Sequence, residues 1–488
     1  MSTSTAGSDH APAPLLSRGA SQPLAQQLAQ RFAERIQQRL LLPGARLPSV
    51  RDCARHHGVS PYTVVAAYDQ LLAQGLLEAR QKRGFFVRES RPAPARAGAR
   101  GPAASQPAAL AALPPPVDAR ALLRGMFQAD ARRAPGLGAL PPEWLDLAQL
   151  QTTLRRLASQ DDTALLSGYG EPLGDARLRQ ALSQRLLDIA IQAPPEQIMS
   201  TVGATHGLDL ITRAFLKPGD AVLVDEPGWA IEYARLSQAG MKLLPVPRGE
   251  LGPDLEQMRR LLAEHQPRLY VTVSVLHNPT GASLKLAQAH QILQLAEQAD
   301  LLIVEDDTYA LFAPDHQPRL AALDQLRRTL YVSGFSKILT PAWRVGYVAA
   351  SAERIAQLTE LKLLSSLTTS PLMDRAVALC LETGMLRRHA ERVITKLDAA
   401  RQRCLRLAEE AGCRFLAPPQ GLFGWVDVGV DTERLAQRMM DRGWLIAPGL
   451  LFSPTRQAGS LMRINFATSQ DLRFWRALEQ AREELLGG

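Results

Sequence analysis

Five short apolar runs recur between residues 221 and 349 of this 488-residue chain: Ala221–Val224, Leu269–Val275, Leu301–Val304, Thr329–Val332 and Val345–Ala349. Such runs read as strands of a sheet covered on both faces. Helical patterns lie between most of them and supply the cover. From about residue 118 onward the spacing predicts a mostly parallel sheet with helices on both sides, and a smaller α+β domain towards the C-terminus. In such sheets the chemistry collects just beyond the strand ends.

The N-terminal region is built differently. Residues 1–21 are rich in Ala, Pro, Ser and Thr without periodicity and are expected to be a disordered lead-in. Leu24, Leu28, Phe32, Ile36 and Leu40 then recur at helical spacing until Pro43-Gly44 stops the pattern. Ser49 can cap a second helix, Val50–His57, which Gly58 ends. Ser60 can cap a third, with Pro61 at its first position and Gly75 at its end. Leu76–Val87 reads as two short strands with Lys82-Arg83-Gly84 at the turn. Residues 22–88 are therefore expected to form a winged helix-turn-helix, and the Pro/Ala/Arg stretch 89–117 a linker.

Charge separates the two parts. Residues 1–117 hold 14 Lys/Arg against 6 Asp/Glu, whereas 118–488 hold 42 of each, so the whole net charge of +8 sits in front. A basic front end on a neutral body points to a polyanionic partner, with solubility as the competing explanation. Cys53, Cys380, Cys404 and Cys413 have no CxxC spacing, which fits buried reduced thiols in a cytoplasmic protein and neither a disulfide framework nor a metal site. No apolar run is long enough to span a membrane, and no secretory leader is expected.

The candidate site residues fall after the strands. Ser333-Gly-Phe-Ser-Lys337 follows the run Thr329–Val332, and Arg344 lies seven residues on. A lysine amine suits an aldehyde, and a serine with an arginine suits a phosphate, which together are the needs of pyridoxal 5′-phosphate. Gly203-Ala204-Thr205 opens a helix expected over Gly207–Phe215, where exposed amides attract an anion, although a plain tight turn would look the same. Trp229 can lie flat on a heteroaromatic ring or fill a core. In His277-Asn-Pro-Thr-Gly281 the Asn278 amide can donate to a phenolic oxygen, as can Tyr309. One carboxylate of Glu305-Asp-Asp307 can keep a pyridine nitrogen protonated, unless the trio is a cap. Arg463, a cation in the apolar strand Leu461–Phe466, suits an α-carboxylate or a structural ion pair.

With these motifs in this order, residues 118–488 resemble the fold-type I aminotransferases, near the aromatic and aminoadipate branch. The resemblance implies an α/β aminotransferase-like domain with Lys337 as the Schiff-base lysine, Asp306 on the pyridine nitrogen, and Asn278 and Tyr309 on the phenolic oxygen. It further implies Trp229 on the ring, Gly203, Ala204, Thr205, Ser336 and Arg344 on the phosphate, and Arg463 on a substrate or effector carboxylate. Tyr169, in Gly168-Tyr-Gly-Glu-Pro-Leu-Gly174, resembles the tyrosine that reaches the phosphate of a neighbouring subunit, so a homodimer is implied. The chain departs from the pattern at Gly334, where the family often carries Ser or Thr, and Ser333 is the candidate substitute.

Residues 22–88 resemble the GntR winged helix, and the two halves together resemble the MocR-type regulators. By that resemblance Ser60–Gln74 is the recognition helix of a double-stranded DNA reader. Ser60, Tyr62 and Thr63, with Arg46, Ser49 and Arg51 and the wing's Lys82 and Arg83, are the candidate DNA contacts. Two functions stay open on sequence alone. One is a transcription regulator that senses pyridoxal phosphate or a small amino compound. The other is a working aminotransferase with an accessory DNA-binding domain.

Overall fold

The computed structural model describes residues 16, 22–37, 41, 44–80, 84–88, 130–159, 163–455, 457 and 459–487. The expected lead-in apart from Leu16, which packs against the core of the first unit, the linker, and Lys82 and Arg83 at the wing turn lie outside the described residues. The chain divides into two compact units, Met1–Asp130 and Ala131–Gly488. Among the described residues no helix is long and apolar enough to cross a membrane, and all four cysteines are buried and outside any disulfide.

The first unit carries α1 (Leu24–Gln37), α2 (Val50–His57), α3 (Pro61–Ala73), β1 (Leu77–Arg80) and β2 (Gly84–Val87). Both serine caps form: Ser49 accepts from the Asp52 amide and Ser60 from the Thr63 amide. Gly58 closes α2 in the left-handed conformation, at φ 61°. Leu28 and Phe32 of α1 meet Val64, Tyr68 and Leu71 of α3 in one core. Each such side chain contributes about 1.5–3 kcal/mol on burial. Sequence reading missed an isolated bridge to the wing. Residues 44–47 pair with β2 through Gly44 N to Val87 O, Val87 N to Ala45 O and Leu47 N to Phe85 O, setting Arg46 opposite Phe86.

The second unit is organised by an eight-stranded sheet in the order β3-β10-β9-β8-β7-β4-β5-β6. The strands are β3 (Ile198–Val202), β4 (Ala221–Glu226), β5 (Lys242–Gly249), β6 (Gly252–Pro253), β7 (Leu269–Thr272), β8 (Leu302–Asp306), β9 (Thr329–Gly334) and β10 (Val345–Ala349). Strands β9, β8, β7, β4 and β5 run parallel, while β10 runs antiparallel to both β9 and β3. Successive residues enter opposite cores. Val222, Val224, Leu330 and Val332 face one side with α4 (Ala204–Phe215). Leu223, Tyr270 and Ile303 face the other with α5 (Leu286–Gln298). That double burial is why the runs are largely apolar.

Helix α4 begins at Ala204, three residues before the sequence pattern placed it, because the glycine at 203 leaves room for the turn. After α6 (Ala352–Ser366), the long α7 (Met385–Glu410) leads to a four-stranded antiparallel sheet of order β11-β12-β14-β13. Its strands are β11 (Arg414–Phe415), β12 (Phe423–Asp427), β13 (Ala447–Pro448) and β14 (Leu461–Asn465). This is the expected smaller domain.

Candidate functional site

Four residues spread over 185 positions meet beside the ends of β8 and β9 and the middle of β14. Lys337 follows β9; its Nζ donates to Gly138 O at 2.7 Å. Burial, with the Arg463 and Arg344 cations nearby, pulls this amine down to about 8 against the support of Asp306. Arg463 donates Nη1 to Asn278 Oδ1 at 2.7 Å and Nη2 to Gly136 O at 2.6 Å. Its guanidinium lies 4.4 Å from the Phe423 ring centroid and 4.9 Å from that of Phe452. No carboxylate pairs with Arg463 among the described residues, its Nε has no partner, and burial lowers it to about 10. A buried cation without a counter-ion is costly and is a ready seat for an anion.

The acidic trio divides its work. Glu305 accepts from the amides of Leu320 and Ala321, and burial raises it to about 7. Asp307 pairs with the fully buried Arg319, Nε to Oδ2 at 2.6 Å, and accepts from the Tyr331 hydroxyl at 2.8 Å. Asp306 accepts only from Thr308, through its amide and hydroxyl. Burial raises Asp306 to about 6, and it alone of the three is felt at Lys337. Tyr309 is buried with its ring 5.1 Å from Phe423, and desolvation raises its hydroxyl above the usual range.

A second cluster gathers around the start of α4. Gly203 is at φ 75°, and a Cβ there would lie 2.7 Å from Arg344 Nη2. Arg344 donates to Val202 O at 3.0 Å and reaches Ser336 Oγ at 3.5 Å. Ala204 and Thr205 form the first turn of the helix. Gly334 sits closely packed, and a Cβ there would meet Gly346 Cα and Val345 O at 3.2 Å. Ser333 does not substitute for it: its hydroxyl donates to Asp307 O at 2.8 Å. Trp229 is half-buried at the head of the helix after β4, and its loop is tied to the small domain by Gly228 N to Phe452 O at 2.9 Å. Tyr169 stays apart from the cluster and is 87% exposed.

In the first unit Tyr62 is 83% exposed, and Arg46 and Arg51 are exposed. The Ser49 hydroxyl is occupied by Asp52, and those of Ser60 and Thr63 by each other at 2.8 Å. Sequence reasoning missed Lys362 of α6. It is fully buried, donates to Pro172 O and Ser200 O, and anchors the loop that carries Tyr169. It lies in an otherwise ordinary helix and offers no motif.

Residues 138–479 match the family of aminotransferases of class I and II, and residues 24–87 match the bacterial regulatory proteins of the gntR family. The chain is 31% identical to the HTH-type transcriptional regulator YdcR of Escherichia coli over 90% of its own length and 94% of that protein. This chain belongs to the MocR-type regulators. Another relative is the HTH-type transcriptional regulator TauR of Rhodobacter capsulatus, 31% identical over 87% of this chain and 89% of that protein. Among solved structures, the α-aminoadipate aminotransferase LysN of Thermus thermophilus, complexed with N-(5′-phosphopyridoxyl)-L-leucine, aligns with a TM-score of 0.69. It is 25% identical and covers 75% of this chain and 95% of that one. As a MocR-type regulator the chain combines a DNA-binding domain with a fold-type I domain whose cofactor is pyridoxal phosphate. The residues fit that group. A cradle that only glycine permits lies under Arg344, a depressed amine stands beside a carboxylate, and a buried guanidinium has an unpartnered nitrogen.

Proposed function

We propose that this regulator senses pyridoxal phosphate together with a small amino compound, and that it does so as a homodimer that alters its hold on DNA. The observation that carries the proposal is Arg463: a buried guanidinium with no counter-ion among the described residues, bonded to Asn278 beside Lys337. When bound, the cofactor supplies an aldehyde for the Lys337 amine and a ring that withdraws electrons. Asp306 would hold the ring nitrogen, since Asp307 is consumed by Arg319. Asn278 turns its oxygen to Arg463, which leaves Nδ2 to donate to the phenolic oxygen alongside Tyr309. Gly203, Ala204, Thr205, Ser336 and Arg344 would take the phosphate, Trp229 would cover the ring, and Arg463 would hold the carboxylate of the amino compound.

The exposed Tyr169 lies on a loop whose Gly170 packs against Thr369 and whose Pro172 accepts from Lys362, and the segment between those two partners carries Leu364 and Leu367, 84% and 50% exposed. Such exposed apolar side chains suit a second copy of the chain, whose phosphate Tyr169 would reach. Regulation is favoured over turnover because relatives named as transcriptional regulators span nearly the whole chain, winged helix included. DNA contacts would come from Arg46, Arg51 and Tyr62, with Lys82 and Arg83 at the wing.

The test is binding of the purified, cofactor-loaded protein to the DNA upstream of its own gene, against a scrambled duplex, across a salt series. Specific binding that survives moderate salt and changes when an amino acid is added supports the reading. Steady conversion of that amino acid to its keto acid, with DNA affinity indifferent to it, overturns it. Lys337→Ala is expected to abolish the cofactor's visible absorbance and the ligand response while leaving basal DNA binding.

A further inference from the structure

Six successive carbonyls, from Ala134 to Ala139, all accept hydrogen bonds from residues of the site or of the small domain. Thr468 donates to Ala134 O at 3.3 Å, and the Asn465 amide donates to Pro135 O at 2.8 Å. Arg463 Nη2 reaches Gly136 O at 2.6 Å, and Lys337 Nζ reaches Gly138 O at 2.7 Å. Asn465 Nδ2 bridges Leu137 O and Ala139 O, both at 2.8 Å. On the outer side Gly136 N donates to Leu445 O, and Leu445 N to Arg133 O. A Cβ on Gly136 would lie 2.5 Å from Ala447 N, so the strap sits tightly against the small domain.

Two of these six bonds use the donors that a bound ligand needs. We propose that residues 134–139 are the ligand-responsive element of this chain: their carbonyls stand in for ligand at Arg463 and Lys337 and are released when the site fills. This rests on the functional reading above. A carbonyl is a neutral acceptor, whereas a carboxylate on a guanidinium forms charge-assisted, bidentate bonds roughly twice as strong. Among the described residues the Arg463 cation has no counter-ion to lose, so the exchange of Gly136 O for a ligand carboxylate runs downhill. Likewise, an amine committed to the cofactor no longer offers its free N–H donors to Gly138 O. The strap is then held by Asn465, Thr468, Ser469 and the outer amides. In sequence it lies three residues beyond the stretch 89–130 that joins this unit to the winged helix, so DNA affinity of the full-length protein is the readout of whether its release is transmitted.

Two probes separate the two bonds in the full-length protein. Pyridoxal phosphate alone claims Lys337 and leaves Arg463. N-(5′-phosphopyridoxyl)-L-leucine brings a carboxylate to Arg463 but, being a reduced adduct, cannot condense with Lys337. Amide hydrogen exchange is followed in peptides covering 131–140 and 443–447. Binding is read separately, by absorbance for the cofactor and by native mass for the adduct. Exchange about tenfold faster is expected with the adduct, as for the loss of one hydrogen bond to a charged group, and some acceleration is expected with pyridoxal phosphate alone. Asn465→Asp, which removes the double donor, is expected to loosen the same peptides without ligand and to move DNA affinity in the direction the adduct does. Bound probes with unchanged or slower exchange would overturn the strap while leaving cofactor binding intact. So would an Asn465→Asp protein with a loosened strap and unmoved DNA affinity. Failure of both probes to bind would overturn the functional reading, and the strap with it. Exchange in the unaltered chain decides the matter even if the variant does not fold.

Discussion

Arg463 donates to Asn278 Oδ1 at 2.7 Å, and that bond decides which way the Asn278 amide faces. Its oxygen is committed to the guanidinium, so its nitrogen is the atom left for another acceptor. One asparagine thus links the place where a carboxylate would bind to the place where a ring oxygen would lie.

Asn278→Asp tests this link. A carboxylate at 278 would give Arg463 an internal counter-ion, and an incoming ligand carboxylate would have to compete with it. The affinity for an amino ligand is expected to fall at least tenfold, about 1.4 kcal/mol. Titration of the cofactor absorbance reads the change; an unchanged affinity would remove Arg463 from the ligand site.

The neighbouring aspartates should behave oppositely. Asp307→Asn leaves the fully buried Arg319 without its counter-ion, and a loss of about 3–5 kcal/mol in unfolding free energy is expected. Asp306 is raised to about 6 in the folded chain, so its ionised form works against folding as pH climbs above the unfolded carboxylate's pKa and through 6. Asp306→Asn is therefore expected to cost no stability at neutral pH and to change the cofactor's spectrum instead. Denaturant titration and absorbance, run side by side, check both.

Cofactor loading should follow the Lys337 amine. Only the neutral amine attacks an aldehyde, and burial brings its pKa to about 8. The loading rate is expected to rise about tenfold per pH unit below that value and to level off above it. An ordinary lysine would keep accelerating to about pH 10. In Asp306→Asn the charge that supports the ammonium is gone, so the plateau should begin at lower pH. Stopped-flow absorbance at several pH values distinguishes these cases.

On the DNA side, Arg46→Ala and Arg51→Ala are each expected to weaken binding and to reduce the slope of log affinity against log salt by about 0.9 for each phosphate no longer neutralised. Equal slopes in variant and parent would mean that the residue touches no phosphate. Retained slope with altered sequence preference would assign it to a base edge.

The sequence was most readable where side chains carry the chemistry. Lys337, Asn278, Arg344 and the strand β10 could be placed because amines, amides and apolar runs have recognisable patterns. Ser49 and Ser60 were readable as caps for the same reason. The strap was not, because Pro135-Gly-Leu-Gly-Ala139 works through carbonyls that every residue has. Its only signal was the pair Gly136 and Gly138, which is weak alone. The bridge from Arg46 to the wing was hidden because Arg46 lies between Pro43-Gly44 and Pro48, residues that read as a turn. Asp306 was singled out by the resemblance, three residues before Tyr309, but what Asp307 does instead was hidden, because no local pattern names Arg319 as its partner.

Gly203, Gly334 and Gly346 stack where α4 meets the sheet. A Cβ on Gly346 would lie 2.5 Å from Gly203 C and 2.6 Å from Ala204 N, and one on Gly334 would lie 3.2 Å from Gly346 Cα. Suppressor mutations usually rescue an oversized side chain by shrinking its neighbour. None can act at Gly346, where a Cβ would meet only the backbone of Gly203 and Ala204 and there is no side chain to shrink.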